Sequence, residues 1–113
     1  MAYDTLLWLQ DWYLAQCDGD WEHQNGVEIG NVDNPGWSLE ISVSGTSLEG
    51  LAFDPVRIER SEHDWVSCRL ESERFKAACG PLNLVEAVEI FRVWVAGHAV
   101  TQFERRKIAR LGG

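Results

Sequence analysis

Trp37-Ser38-Leu39-Glu40-Ile41-Ser42-Val43 is the stretch that decides the fold class. Its apolar residues fall at every second position. Side chains of an extended chain point alternately to opposite faces, so the segment predicts a β-strand with one buried face. Just upstream, Asp33-Asn34-Pro35-Gly36 reads as a tight turn, with Pro presetting the first central position of a type II turn and Gly supplying the positive φ of the second. Before that turn, Val27 and Ile29 alternate with polar neighbours as a shorter strand. Downstream, Ser44-Gly45-Thr46 breaks the pattern, and residues 51–53, 56–58 and 66–70 read as further short strands. Asp54-Pro55 and Ser61-Glu62-His63-Asp64 separate them, and Phe75 with Ala77 offers one more.

Helical spacing brackets this run of strands. Leu6, Leu9 and Tyr13 fall at i, i+3 and i+7 with Trp8 and Trp12 on an adjoining stripe, which predicts a helix from a cap at Asp4 or Thr5 to about Gln16. Cys17-Asp18-Gly19 ends it, since Gly tolerates the left-handed conformation of a helix terminus. A second helix starts at Asn83, with Glu86 three residues on as in a capping box and Leu82 placed to staple onto Ala87. Leu84, Ala87, Val88, Phe91, Trp94 and Val95 form its apolar face. Gly97 weakens it by about 1 kcal/mol relative to Ala. Residues 98–113 read either as a continuing basic amphipathic helix, with Val100, Phe103, Ile108 and Leu111 on one side, or as a frayed tail.

Helix, strands, helix is an α+β order. Connections of two to six residues are too short for a parallel crossover, so the strands must pair antiparallel. The expected architecture is a single twisted antiparallel sheet of about five to six short strands, with the N-terminal and C-terminal helices packed on one face. The other face is left to solvent or to binding. The 113 residues are expected to make one α+β domain over residues 1–97 and a basic C-terminal extension over 98–113.

A chain that is 45% apolar and 25% charged is an ordinary globular composition, unlike that of a disordered, repetitive or membrane-spanning one. The charge is uneven. The net value is −8, and residues 1–56 hold ten acids and no Lys or Arg. Such a half cannot neutralise phosphates, which argues against nucleic-acid binding, and its field attracts basic partners. The three cysteines, Cys17, Cys68 and Cys79, make an odd number without C-x-x-C spacing, a pattern of a reducing compartment. With no signal-like or membrane-length apolar run, a cytoplasmic protein is expected.

The densest polar cluster is Cys17-Asp18-Gly19-Asp20-Trp21-Glu22-His23. As a calcium loop it fails, because His23 and Ile29 stand where the EF-hand needs Gly and Glu. As a zinc site it lacks a second pair of ligands at the right spacing, so neither metal nor cofactor is expected. A Cys17–His23 nucleophile, for example in sulfur transfer, is the enzymatic alternative. A helix C-terminus in an acidic segment raises a thiol pKa, however, which is the wrong environment for it. Phosphate-binding glycine loops are absent. Trp8, Trp12, Trp37 and Trp94 fall on core-facing positions. Trp21 and Trp65 read as loop aromatics among carboxylates, the composition of an interface anchor. An oligomeric scaffold, its basic C-terminal residues docked on another subunit's acidic half, is a further alternative.

Trp12-Tyr13, Cys17-Asp18-Gly19-Asp20-Trp21-Glu22-His23, Gly26, Asp33-Asn34-Pro35-Gly36-Trp37, Asp64-Trp65 with Cys68, and Gly80-Pro81-Leu82-Asn83-Leu84 together resemble the immunity protein 53 family over roughly residues 5–95. These are small bacterial proteins associated with polymorphic toxin systems. The resemblance implies a non-enzymatic protein that binds a cognate toxin domain in the cytoplasm of the producing cell and blocks self-intoxication. An acidic inhibitor of this kind suits a toxin with a basic substrate groove, such as a nuclease. On that reading the toxin contacts fall first on Asp18, Asp20, Trp21, Glu22 and His23, and second on Asp33, Asn34, Asp64 and Trp65.

Overall fold

The computed structural model describes the backbone of residues 2–112 and the side chains of residues 4–98. The alternating stretch forms β2 (Gly36–Ser42), and β1 (Val27–Val32), β3 (Val56–Ser61), β4 (Asp64–Glu71) and β5 (Arg74–Cys79) join it in one five-stranded sheet. The spatial order is β1-β2-β5-β4-β3, and each neighbouring pair is antiparallel. Helix α1 (Ala2–Gln16), a one-turn α2 (Trp21–Gln24) and α3 (Leu84–Gly112) complete the α+β fold.

Register explains why one face is the core. Ile41 lies opposite Phe75, Leu39 opposite Ala77, and Cys68 opposite Ala77, so buried side chains form contiguous rows on one side. Ala87, Val88 and Phe91 of α3 and Leu9 and Trp12 of α1 close over them. Phe75 sits at the centre, with its ring centroid 5.3 Å from Phe53 and 5.1 Å from Phe91. The helices are tied to each other by Thr5, whose hydroxyl donates to the Glu89 carboxylate, and by the Arg92 guanidinium 5.7 Å from the Trp8 ring. On the opposite face the rows read Glu28-Glu40-Lys76-Arg69 and Gly30-Ser38-Ala78-Ser67-Arg57, small or charged throughout.

Four local expectations change. Residues 51–53 are a loop rather than a strand: Leu51 and Phe53 still pack on the core, but the Ala52 carbonyl accepts the Trp94 indole N–H at 2.9 Å instead of joining a ladder. Gly36 lacks the positive φ that a type II turn needs at its second central position and already pairs with Val32 as the first residue of β2; the Asn34–Pro35 peptide is cis. Gly36 is required by close approach and not by positive φ, since a Cβ there would lie 2.2 Å from the Cys79 carbonyl oxygen. Helix α1 begins at Ala2, and Thr5 is buried at its contact with α3 instead of capping. Leu82 is 85% exposed and staples nothing. Of the two readings of the C-terminal residues, the continuing helix is the one found, α3 running through Gly97 to Gly112. The side chains of Val100, Phe103, Ile108, Leu111 and the basic cluster after Glu104 lie outside the described residues.

Candidate partner-binding surface

The Asp18–Glu22 segment is a self-bonded turn built from its own carboxylates. Asp18 Oδ1 accepts the backbone N–H of Asp20 and of Trp21, both at 2.9 Å, at the start of α2. Glu22 reaches back to accept the N–H of Asp18 at 3.0 Å and of Gly19 at 2.9 Å. Gly19 supplies the turn's positive φ of 96°. These bonds favour the ionised carboxyls. The N–H groups of Trp21 and Asp20 hold Asp18 below its ordinary value, and Glu22's own N–H together with those of Asp18 and Gly19 does the same for Glu22. Asp20 and His23 are exposed, and no side-chain bond engages either.

Trp21 is not a loop aromatic. It opens α2 and is only 6% exposed, edge-on to the Trp12 and Tyr13 rings, with its indole N–H donating to the Ser44 carbonyl at 2.8 Å. A Cβ on Gly45 would come within 3.2 Å of this ring. The expectation of an exposed anchor at Trp21 is therefore corrected. A tryptophan one residue into a helix with an apolar stripe behind it packs inward.

The second group of residues stands at the other end of the sheet. Asp33 and Asn34 form the exposed tip of the β1–β2 hairpin. Asp64 and Trp65 begin β4, where they meet the motif Gly80-Pro81-Leu82-Asn83. Asn83 Oδ1 accepts the Trp65 N–H at 3.2 Å, and its Nδ2 donates to Asp64 at 2.9 Å and to Glu86 at 3.0 Å. Arg60 completes the cluster, gripping Glu86 at 2.7 Å and Asp64 at 2.9 Å. Asn83 and then Arg60 hold the Asp64 carboxyl low, and Arg60 and then Asn83 do so for Glu86. Gly80 is forced by proximity, with a Cβ placed 2.7 Å from the His63 carbonyl. The Trp37 indole closes the same corner on the Pro81 carbonyl at 3.0 Å. Trp65 is half-buried on the sheet face opposite the core, beside Glu59, Arg60 and Ser61.

The candidate residues thus fall into two groups separated by the length of β1, about 20 Å for six extended residues. Nothing couples Cys17 to His23: the Cys17 thiol donates to the Tyr13 carbonyl at 3.3 Å, and no bond links it to the imidazole. Burial pushes the Cys68 thiol up to about 12 and raises Cys79 as well, so both are protonated at neutral pH. Among the described residues no three His, Cys, Asp or Glu side chains converge as a metal cage, and no helix is long and apolar enough to cross a membrane.

Ion pairing separates the two signs of charge. Arg57, Arg60, Arg69, Arg74, Lys76 and Arg92, all the Lys and Arg among the described side chains, are each within 4 Å of a carboxylate. Of the ten acids in residues 1–56, only Glu40 has such a partner, Arg74 at 3.7 Å. Asp4, Asp11, Asp18, Asp20, Glu22, Glu28, Asp33, Glu49 and Asp54 remain without a cation among the described residues.

Beside this acidic stretch a groove of ≈ 570 Å³ opens between α1, α2 and the start of β1, lined by Tyr13, His23, Asn25, Val27, Glu28 and Arg74 among others. Sequence reasoning missed this groove and the exposed Ile29 beyond it. The available signal was a strand, residues 27–32, with neither Lys nor Pro to guard it.

A family model described as Immunity protein 53 matches residues 6–96 of the chain, in agreement with the resemblance carried by its tryptophan and glycine motifs. Neither a curated protein nor a solved structure matches it.

Proposed function

The chain belongs to the immunity protein 53 family, and we propose that it binds and neutralises one cognate toxin domain by laying its unpaired acids over a basic surface of that toxin, in the cytoplasm of the cell that makes both. The observation that carries this reading is the one-sided ion pairing. Every described base is already neutralised within the chain, while nine acids of the N-terminal half are not. Such a molecule presents net negative field to its surroundings. Association with a basic partner is then accelerated toward ~10⁸–10⁹ M⁻¹s⁻¹ at low salt and slows as ions screen it. A toxin whose substrate is anionic, such as a nuclease, has the complementary groove. Covering that groove would need no chemistry from the inhibitor.

Of the residues expected at the interface, Asp20, His23, Asp33, Asn34 and Trp65 are the ones whose side chains hold no hydrogen bond or ion pair among the described residues, and we assign the contact role to the four exposed ones, Asp20, His23, Asp33 and Asn34. Asp18, Glu22 and Asp64 contribute charge while also shaping their own turns. Co-expression with the toxin domain encoded beside it tests the reading: rescue of growth and co-purification are expected, and the absence of both would overturn it. Asp20→Lys combined with Asp33→Lys should slow association and flatten its salt dependence. Unchanged kinetics would place the interface elsewhere.

A further inference from the structure

The sheet has two edges, β1 and β3, and they are guarded unequally. Strand β3 follows Pro55, carries Arg57, Glu59 and Arg60, and shifts register against β4 between Glu59 and Ser61. Proline, charge and a bulge are the devices that keep an edge from pairing with another chain. Strand β1 has neither proline nor bulge and carries a single charge, Glu28. It contains no base, and its register with β2 is unbroken from Val27 to Val32.

The hydrogen-bond phase of β1 identifies which groups are free. The Ser42 N–H donates to the Gly26 carbonyl at 3.0 Å, which makes Gly26 and Ser42 a bonded pair just before the strand begins. Bonded and non-bonded pairs alternate along an antiparallel ladder. Glu28, Gly30 and Val32 therefore bond inward to β2, and Val27, Ile29 and Asn31 point their N–H and C=O groups away from the sheet. No described residue bonds to those outward groups.

The side chains around the edge suit an incoming strand of defined chemistry. Ile29 is 44% exposed on the same face as Val27, which lines the groove below α1. On the alternate face stands Glu28, also at the groove. Asp20 and Glu22 lie just ahead of the strand and Asp33 just after it, all without a cation among the described residues. Arg74, the one Lys or Arg lining the groove among the described residues, is held by Glu40. An added strand would place alternate side chains against Ile29 and against Glu28, so apolar residues alternating with Lys or Arg fit it.

We propose that the toxin docks on the outer edge of β1, contributing an extended basic segment that pairs as a sixth strand with Val27, Ile29 and Asn31. The proposal rests on the toxin-binding reading above and specifies its interface. A second copy of this chain is a poor occupant, because edge-to-edge pairing would bring together two acidic strands on two chains of net charge −8.

Residue-resolved amide hydrogen exchange on the free chain and on its complex with the toxin domain encoded beside it tests this. The Ile29 and Asn31 amides should exchange freely alone and slow by at least about tenfold in the complex. Asn31→Pro removes an outward N–H that β2 does not use, so it should leave the thermal midpoint unchanged and weaken the complex by about tenfold or more. A complex in which Ile29 and Asn31 exchange as in the free chain would overturn the edge while leaving toxin binding intact. Failure to form any complex would overturn both. Slow exchange in the free chain, with a dimeric mass in solution, would mean that a second copy holds the edge and would overturn the proposal. If Asn31→Pro fails to fold, the exchange measurement on the unaltered chain still decides.

Discussion

The side-chain oxygen of Asn83 accepts the backbone N–H of Trp65 at 3.2 Å, across 18 positions of sequence. This bond fixes the first residues of β4 to the entry of α3, and the Asn83 amide nitrogen extends the tie to Asp64 and Glu86. Asn83→Ala would leave a half-buried N–H unpaired and should lower unfolding free energy by about 1–3 kcal/mol, read from urea denaturation. Asn83→Asp places a third carboxylate between Asp64 and Glu86. Its loss of stability should be larger at neutral pH and should shrink as the pH falls and the carboxyls protonate.

Trp21 should behave as a core residue. Trp21→Ala removes an indole that is 6% exposed and should destabilise the chain by about 3–5 kcal/mol. Trp21→Phe keeps most of the apolar contact and loses the bond to Ser44, which should cost about 1–3 kcal/mol. Thermal or urea unfolding measures both. Toxin affinity of the folded Trp21→Phe protein should match that of the unaltered chain within a factor of about three, since surface anchoring and not core packing is what moves affinity.

Acid should destabilise the fold in a specific window. The bonded carboxyls of Asp18, Glu22, Asp64, Glu71 and Glu86 all lie below their ordinary values of 3.8 for Asp and 4.5 for Glu. Between the folded and ordinary values the unfolded chain binds more protons than the folded one, so a falling pH favours unfolding. Their contribution is complete above the ordinary carboxyl range and is lost as pH drops through the folded values. Urea midpoints between pH 6 and pH 2.5 should show this acid limb, and Asp18→Asn with Glu22→Gln should flatten part of it.

The thiols should differ in reactivity. Cys68 and Cys79 are buried and raised by that burial, while Cys17 is half-exposed at the end of α1. A chromogenic disulfide reagent at neutral pH should modify Cys17 alone in the native chain and all three thiols after unfolding. Native modification of Cys68 or Cys79 would show that the sheet opens near β4 and β5.

The framework was legible because its signals are periodic and local. Alternation at 37–43 marked β2, the apolar stripes of Leu9 and Trp12 and of Ala87, Val88 and Phe91 marked the helices, and short connections required antiparallel pairing. What escaped was set by long-range contact. Leu51 and Phe53 have strand spacing, yet the Ala52 carbonyl between them answers an indole 42 residues away. Trp21 among acids resembles a surface residue until Trp12 and Ser44 are placed around it. Gly36 looked like a turn glycine, but what requires glycine there is the Cys79 carbonyl on β5. The acidic bias of the first half was visible in composition. That its acids stay unpaired while every described base is engaged, and that β1 is an unguarded edge, required the strand order.

Gly80, Asn83, Trp37 and Trp21, which belong to the motifs that mark the family, are occupied in joining α3 and α2 to the sheet. The positions left at liberty, Asp20, His23, Asp33 and the outer rim of β1, can be exchanged without loosening those joints. Charge reversals at this perimeter should therefore leave the unfolding midpoint where it is, so that any change in partner affinity they cause is read free of damage to the scaffold.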